Sequence, residues 1–226
     1  MTKKRALEIL QLLRETFKMP SWARSRRDPF RTLIVTIISQ NTADRNTSRA
    51  FENLSKRFKI TPEALSKART DEIELCLRVA GLYRNKARAI KQVSQTIIEN
   101  LGGHINLLLS RSFEQARRNL LDLPGVGPKT ADVVLLFTGA HKTIPVDTHV
   151  KRVSRRLELA PEKGGYETVR GSLQSLYSTK DYLAVHVLLI AHGRMYCKAR
   201  KPLCRECPVN AQCPSCRRFV KGGLAG

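Results

Sequence analysis

The stretch Leu123-Pro124-Gly125-Val126-Gly127-Pro128-Lys129-Thr130-Ala131-Asp132 leaves this chain few ways to fold locally. Leu120 and Leu121 before it read as the end of one helix, and residues 133 to 137 after it as the body of another. Pro124 stops the first helix, and the two glycines permit backbone angles closed to other residues. The result is a tight turn between helices. Amides at the start of the second helix, together with the positive end of its dipole, make such a turn an anion site. Lys129 places a primary amine in that field, which disfavours the charged form and favours a nucleophilic one. The same residues could also form a plain linker with a solvated lysine, so the rest of the chain must decide.

Charge narrows the partner. Across 226 residues, 41 lysines and arginines face 19 acids, a formal net charge of +22 with pI near 10.4. The cations are spread along the chain, which points to a polyanion, with nucleic acid as the leading class. A chain of this length can bury one large core or two modest ones. No run approaches the roughly 20 apolar residues that a membrane span needs. The first helix, with Ala6, Leu10, Leu13 and Phe17 on one face and Pro20 closing it, lacks the long apolar core of a signal peptide. Five of six cysteines fall in the last thirty residues, which favours a metal over scattered disulfides and a reducing compartment, with cytoplasmic localisation expected.

Taken in order, the chain reads as helices throughout. Asp28-Pro29 is an N-cap and N1 pair opening a stripe of Phe30, Leu33, Ile34, Ile37 and Ile38. Ser39-Gln40-Asn41-Thr42 follows, either ordinary capping chemistry or amides that probe a base. A helix over 43 to 58 buries Thr47, Ala50, Leu54 and Phe58; Thr61-Pro62 opens a short third, and a fourth over 71 to 80 ends at Gly81. Leu82 and Tyr83 are either core contacts or wedges for a base stack. A long helix then carries Ala87, Ile90, Val93, Ile97 and Leu101 and ends at Gly102-Gly103. Ser112 with Gln115 resembles a capping box. Asp147 N-caps a helix with Val150, Val153 and Leu157 behind it, and a final apolar helix over 182 to 192 leads through Gly193 to the cysteines. Cys76 reads as a core residue, and the tail from residue 221 as frayed.

A helix over 130 to 138 carries the chain about 14 Å from Lys129, and residues 139 to 146 can return about 26 Å when extended. Asp147 can therefore face Lys129. A carboxylate and an amine beside a phosphate-binding turn suit glycosidic chemistry, with the anion stabilising a developing sugar cation and the amine attacking C1′. Capping and catalysis by Asp147 are compatible. Cys197, Cys204, Cys207 and Cys213 are separated by six, two and five residues, a set able to hold an iron–sulfur cluster or zinc. Lys198, Arg200, Lys201 and Arg205 lie within the cysteine loops, where a metal-folded segment would present them to phosphates.

Together these features resemble the endonuclease III family of the helix-hairpin-helix DNA glycosylase superfamily. The resemblance rests on residues 123 to 131 with Lys129, on Val146-Asp147-Thr148-His149, on Gly81-Leu82-Tyr83 through Lys86-Ala87, on His192-Gly193-Arg194 and on the four cysteines, in the family's order. It implies an all-α, two-lobed fold, with a six-helix barrel over 25 to 138, its hairpin at about 113 to 138, and an iron–sulfur domain from 1 to 24 plus 139 to 226. The implied activity is excision of oxidised pyrimidines followed by nicking of the abasic site. Lys129 matches the Schiff-base lysine and Asp147 the catalytic aspartate. Cys197, Cys204, Cys207 and Cys213 match the [4Fe-4S] ligands, with Cys216 outside, and Leu82 matches the duplex wedge. Expected DNA contacts are Gln40, Asn41, Leu82, Gly125, Gly127, Thr130, His149, Lys198, Arg200 and Lys201. The expected partner is double-stranded DNA with damaged bases or abasic sites, bound by a monomer, with no membrane role.

The chain also departs from the family's pattern. Where bacterial members have Ser-Ala-Gln-Ala-Thr-Asp, residues 39 to 44 place Asn41, not Gln40, at the gap-filling glutamine. Pro128 replaces a common basic residue, and the linker from 103 to 112 lacks a valine-proline feature. Two alternatives stand beside the bifunctional enzyme. One is a monofunctional glycosylase for thymine or uracil opposite guanine, against which a lysine at 129 argues; the other is a non-catalytic DNA-binding protein.

Overall fold

A computed structural model describes residues 2–24 and 26–221. Among the described residues there is no strand, and thirteen α-helices are joined by short turns and three 3-10 segments. The tail from 222 lies outside the described residues. The chain divides into two compact units, one of residues 26–141 and one of residues 1–25 with 142–226.

The 26–141 unit contains α2 (Pro29–Ser39), α3 (Asp44–Arg57), α4 (Pro62–Lys67), α5 (Thr70–Leu77), α6 (Tyr83–Leu101), α7 (Asn106–Leu109), α8 (Phe113–Leu121) and α9 (Pro128–Phe137). The periodicity of α2 explains its place: Phe30, Leu33, Ile34, Ile37 and Ile38 are all buried, and each such side chain contributes roughly 1.5–3 kcal/mol. Asp28 caps it, Oδ1 accepting from Arg31 N at 2.7 Å. The long α6 packs on α4 and α5, while α2 packs on α9. All eight helices share one apolar cluster. Helices α4 and α7 are one-turn pieces of 6 and 4 residues, so six longer helices frame the core.

The second unit holds α1 (Lys3–Thr16), α10 (Thr148–Arg156), α11 (Tyr166–Leu176), α12 (Tyr182–Met195) and α13 (Cys216–Lys221). Helix α12 is buried on most sides, packing on α1 and α10. It runs through Gly193 where the sequence suggested a stop. The reason is packing: a Cβ there would stand 3.1 Å from both His149 and Val153, so glycine lets α10 and α12 approach closely. Helix α11 has no counterpart in the sequence reading. Among the described residues, no helix is long and apolar enough to cross a membrane.

Candidate active site

In the 26–141 unit, α8 and α9 form the hairpin that the Leu123–Asp132 stretch foretells. Gly125 has φ +75°, a left-handed conformation that favours glycine, and a Cβ there would stand 2.9 Å from Ala89 of α6. Gly127 differs from expectation: its φ of −96° is extended backbone open to other residues, and a Cβ there would meet nothing within 4 Å. What it supplies is an open surface at the N-cap of α9. Pro128 takes the first helical position and Lys129 the second, where first-turn amides have no partner within the helix. Lys129 is half-buried and Thr130 buried. Behind the hairpin, Arg117 of α8 donates to the fully buried Asp132 of α9 at 2.7 and 3.4 Å, clamping the two helices.

Two further loops of that unit carry predicted DNA contacts. Leu82 is 61% exposed with φ +47°, so it is no core residue. Gln40 and Asn41 separate in role. The Gln40 amide donates to Gly125 O at 3.1 Å and to Thr130 Oγ1 at 3.4 Å, holding the loop to the hairpin, while Asn41 is exposed with φ +51°.

In the other unit, Asp147 caps α10 as expected, Oδ1 accepting from Val150 N at 2.7 Å. The approach to it is pinned on both sides. His186 bonds Pro145 O at 2.9 Å, and Val146 N donates to Tyr166 Oη at 3.3 Å. His149 is half-buried, its Nδ1 3.1 Å from Arg152 Nη2. The guanidinium only donates, so that nitrogen accepts from it when the ring is neutral. Burial lowers its pKa; Asp147 opposes, and Arg152 and Arg194 reinforce.

The cysteines of this unit gather around one largely apolar pocket lined by Cys197, Cys204, Cys207, Cys213 and also Cys216, with His192, Tyr196 and Leu203. Burial, with the neighbouring Cys216, Cys213 and Cys197, pushes Cys204 up to about 11, and burial pushes Cys207 up to about 12. Arg156 braces the loop, donating to Lys198 O at 2.7 Å and Ala199 O at 3.0 Å, with Nη1 3.4 Å from Cys197 Sγ. Lys198, Arg200 and Lys201 are exposed on that loop. The buried Nδ1 of His192 has no hydrogen-bond partner, and its Nε2 lies 3.8 Å from Cys207 Sγ.

Comparison with known proteins decides the family. Residues 34–179 match the model of the HhH-GPD superfamily of base excision DNA repair proteins. The chain belongs to that superfamily. An HhH-GPD relative from Sulfolobus acidocaldarius, endonuclease III, is 37% identical over 188 residues, covering 83% of this chain and 82% of the relative. Endonuclease III of Thermotoga maritima is 36% identical over 214 residues, 95% of this chain and 96% of that one. Among solved structures, a trapped endonuclease III–DNA covalent intermediate superposes with a TM-score of 0.86 at 29% identity, covering 97% of this chain and 99% of that chain. The all-α HhH-GPD fold expected from sequence is thereby established.

The HhH-GPD match includes Lys129 and Asp147 and ends before Cys197. Reading the sequence missed the residues that support these groups. Lys86 is 4% exposed, and its register with Ile90, Val93 and Ile97 on α6 was the available signal. The Arg117–Asp132 pair, His186 and Tyr166 are contacts between distant segments, with no local pattern to reveal them.

Proposed function

We propose that this chain removes oxidised pyrimidines from duplex DNA and cleaves the resulting abasic site, with Lys129 as nucleophile and Asp147 as the supporting carboxylate. Endonuclease III relatives matching most of the chain, within that superfamily, support a base excision repair glycosylase/lyase. The observation that carries the finer reading is an amine at the second position of α9, directly after an open hairpin turn. Anionic DNA backbone would lie on the hairpin amides around Gly125 and Gly127, which contact phosphate without reading sequence. Asp147 stabilises positive charge on the deoxyribose as the C1′–N bond breaks. The Lys129 amine forms a bond to C1′, and loss of the ring oxygen bond leaves an iminium. Loss of the C2′ proton then forms a C1′–C2′ enamine, and its electron pair expels the 3′ phosphate as the C3′–O bond breaks.

Leu82 is the wedge, and Asn41, not Gln40, is the amide that fills the emptied position, because the Gln40 amide is spent on the hairpin. Base extrusion costs a few kcal/mol, least for damaged bases, and so adds selectivity. Gln40 and Thr130 serve the site by holding the loop to the hairpin, and His149 offers its imidazole to the DNA.

The cysteines fit a [4Fe-4S] cluster held by Cys197, Cys204, Cys207 and Cys213. Five sulfurs line one pocket, and four closely spaced thiolates are the donor set that an iron–sulfur cluster takes. Thiols held neutral by burial and by one another are also what metal binding relieves. A cluster held by these cysteines would tie the loop together, and Lys198, Arg200 and Lys201 would meet phosphate from that loop.

Borohydride trapping tests the reading. With an abasic duplex, wild type should form a covalent adduct and Lys129→Gln none, and a panel of thymine glycol, 5,6-dihydrouracil, uracil and 8-oxoguanine duplexes should show excision of the two oxidised or reduced pyrimidines. An adduct formed equally by Lys129→Gln, or excision confined to uracil opposite guanine, would overturn it.

A further inference from the structure

The two exposed tips read above as wedge and gap-filler both carry left-handed backbone. Asn41 has φ +51°, and Gly81 and Leu82 follow one another at +62° and +47°. Asparagine and glycine tolerate that conformation, but at a leucine it costs roughly 1–2 kcal/mol, so the surrounding structure must hold it. What holds it is one side chain. Lys86 lies in the first turn of α6 and is nearly fully buried, a rare setting for lysine. Its backbone N donates to Leu82 O at 3.1 Å and its Nζ to Ala80 O at 2.8 Å, so the residue grips the turn on both sides of Gly81. The same Nζ donates to Thr42 Oγ1, next to Asn41. Thr42 Oγ1 in turn donates to Ala80 O, with Gln40 O 3.1 Å away as a second acceptor. All the partners of Nζ are neutral oxygens, and burial lowers the pKa of the amine. Gln40 Nε2 extends the network to Gly125 O of the hairpin.

We propose that Lys86, acting through Thr42, is the positioning residue for DNA distortion, fixing Asn41 and Leu82 in register so that one fills the gap as the other enters the stack. The inference rests on the proposed roles of those two tips. Lys86 itself touches no DNA; it acts through the loops it joins.

The test is base unstacking, read by 2-aminopurine fluorescence beside a tetrahydrofuran abasic analogue in duplex DNA, together with single-turnover rates. Lys86→Met should lose most of the fluorescence rise and slow excision from duplex by about tenfold, below the ~10²-fold that a 1 Å misplacement costs. Elimination at an abasic site in single-stranded DNA, which needs no wedge, should change less than about twofold by the same reasoning. Thr42→Val should reproduce the defect in milder form and Thr42→Ser restore it; these two decide the matter if Lys86→Met does not fold. Fluorescence and excision retained by both Lys86→Met and Thr42→Val would overturn the role of Lys86 alone. So would parallel loss of both activities, which marks a scaffold residue. No fluorescence rise from wild type would overturn the reading of Leu82 and this inference with it.

Discussion

The two units hold their functional groups by different physics. In the 26–141 unit, the hairpin and both loops are tied by direct bonds, Arg117 to Asp132, Gln40 to Gly125 and Lys86 to Thr42, above a hydrocarbon core. In the other unit, Asp147 is equally well tied, but the cysteine loop is not. Its thiols face one another in a pocket, and burial with mutual repulsion holds Cys204 and Cys207 neutral. The first arrangement is complete in protein atoms alone. The second has backbone turns and Arg156 to shape it, yet its sulfurs are in need of a cation. The basic cysteine loop is thus built conditionally, whereas the hairpin is built outright.

Metal removal should break the comparison most visibly. Structural metal sites contribute on the order of 10 kcal/mol to the segment they fold. Cys207→Ser, or chelation, should abolish visible absorbance near about 400 nm and deprotect the amides of residues 197–216 in hydrogen exchange, with α2, α6 and α9 unchanged. Equal loss of protection in α9 would show that the hairpin is conditional too. Colourless protein carrying zinc would replace the cluster by a single ion.

Next in size are the catalytic substitutions. Lys129→Gln should slow strand cleavage about 10³-fold or more, as expected when a nucleophile is removed. Asp147→Asn should lower excision about 10²–10³-fold. Asparagine is as good an N-cap as aspartate, so α10 and the melting temperature should be retained. Activity falling together with stability would assign Asp147 to capping alone.

The legibility of these groups in the sequence follows the same divide. Helix stripes such as Phe30 to Ile38, the caps at Asp28 and Asp147, and the hairpin were readable because capping and periodicity are local. The grouping of the cysteines was readable because thiols a few residues apart on one loop can reach the same pocket, as these do. That Gln40 bonds the hairpin while Asn41 stays exposed was not readable, since it depends on where Gly125 sits in space. Nor was the course of α12 through Gly193, which the His149 and Val153 contacts require. Lys86 shows the boundary: its register implied burial, but charge made the residue look like surface.

A smaller effect is expected at the clamp behind the hairpin. Arg117→Met removes one guanidinium from the fully buried Asp132 carboxylate, and breaking such a pair costs about 3 kcal/mol or somewhat more. Chemical denaturation should show that loss, and the double variant Arg117→Met/Asp132→Leu should recover much of it, because the buried carboxylate has gone too. If the double variant stays as unstable as the single, the pair contributes through geometry of the turn and not through charge balance.

The smallest effect separates Asp147's surroundings from the hairpin by pH. Burial, the largest cause, lowers the pKa of His149, with Asp147 opposing and Arg152 and Arg194 reinforcing. On acidification the unfolded chain takes up this proton first, so the stability that neutral His149 contributes is present above about pH 6.5 and lost as pH falls through the folded pKa. Protonation at Nδ1 also removes the acceptor for Arg152 Nη2, which holds Gly193 O at 2.9 Å as well. Glutamine at 149 cannot take up a proton in this range. The denaturation midpoint of wild type should therefore fall more than that of His149→Gln between pH 7.5 and 5, and the gap between them should narrow steadily, as expected for a single group titrating below about 6.5. A gap constant across that window would mean that the ring at 149 matters for its shape and not for its charge.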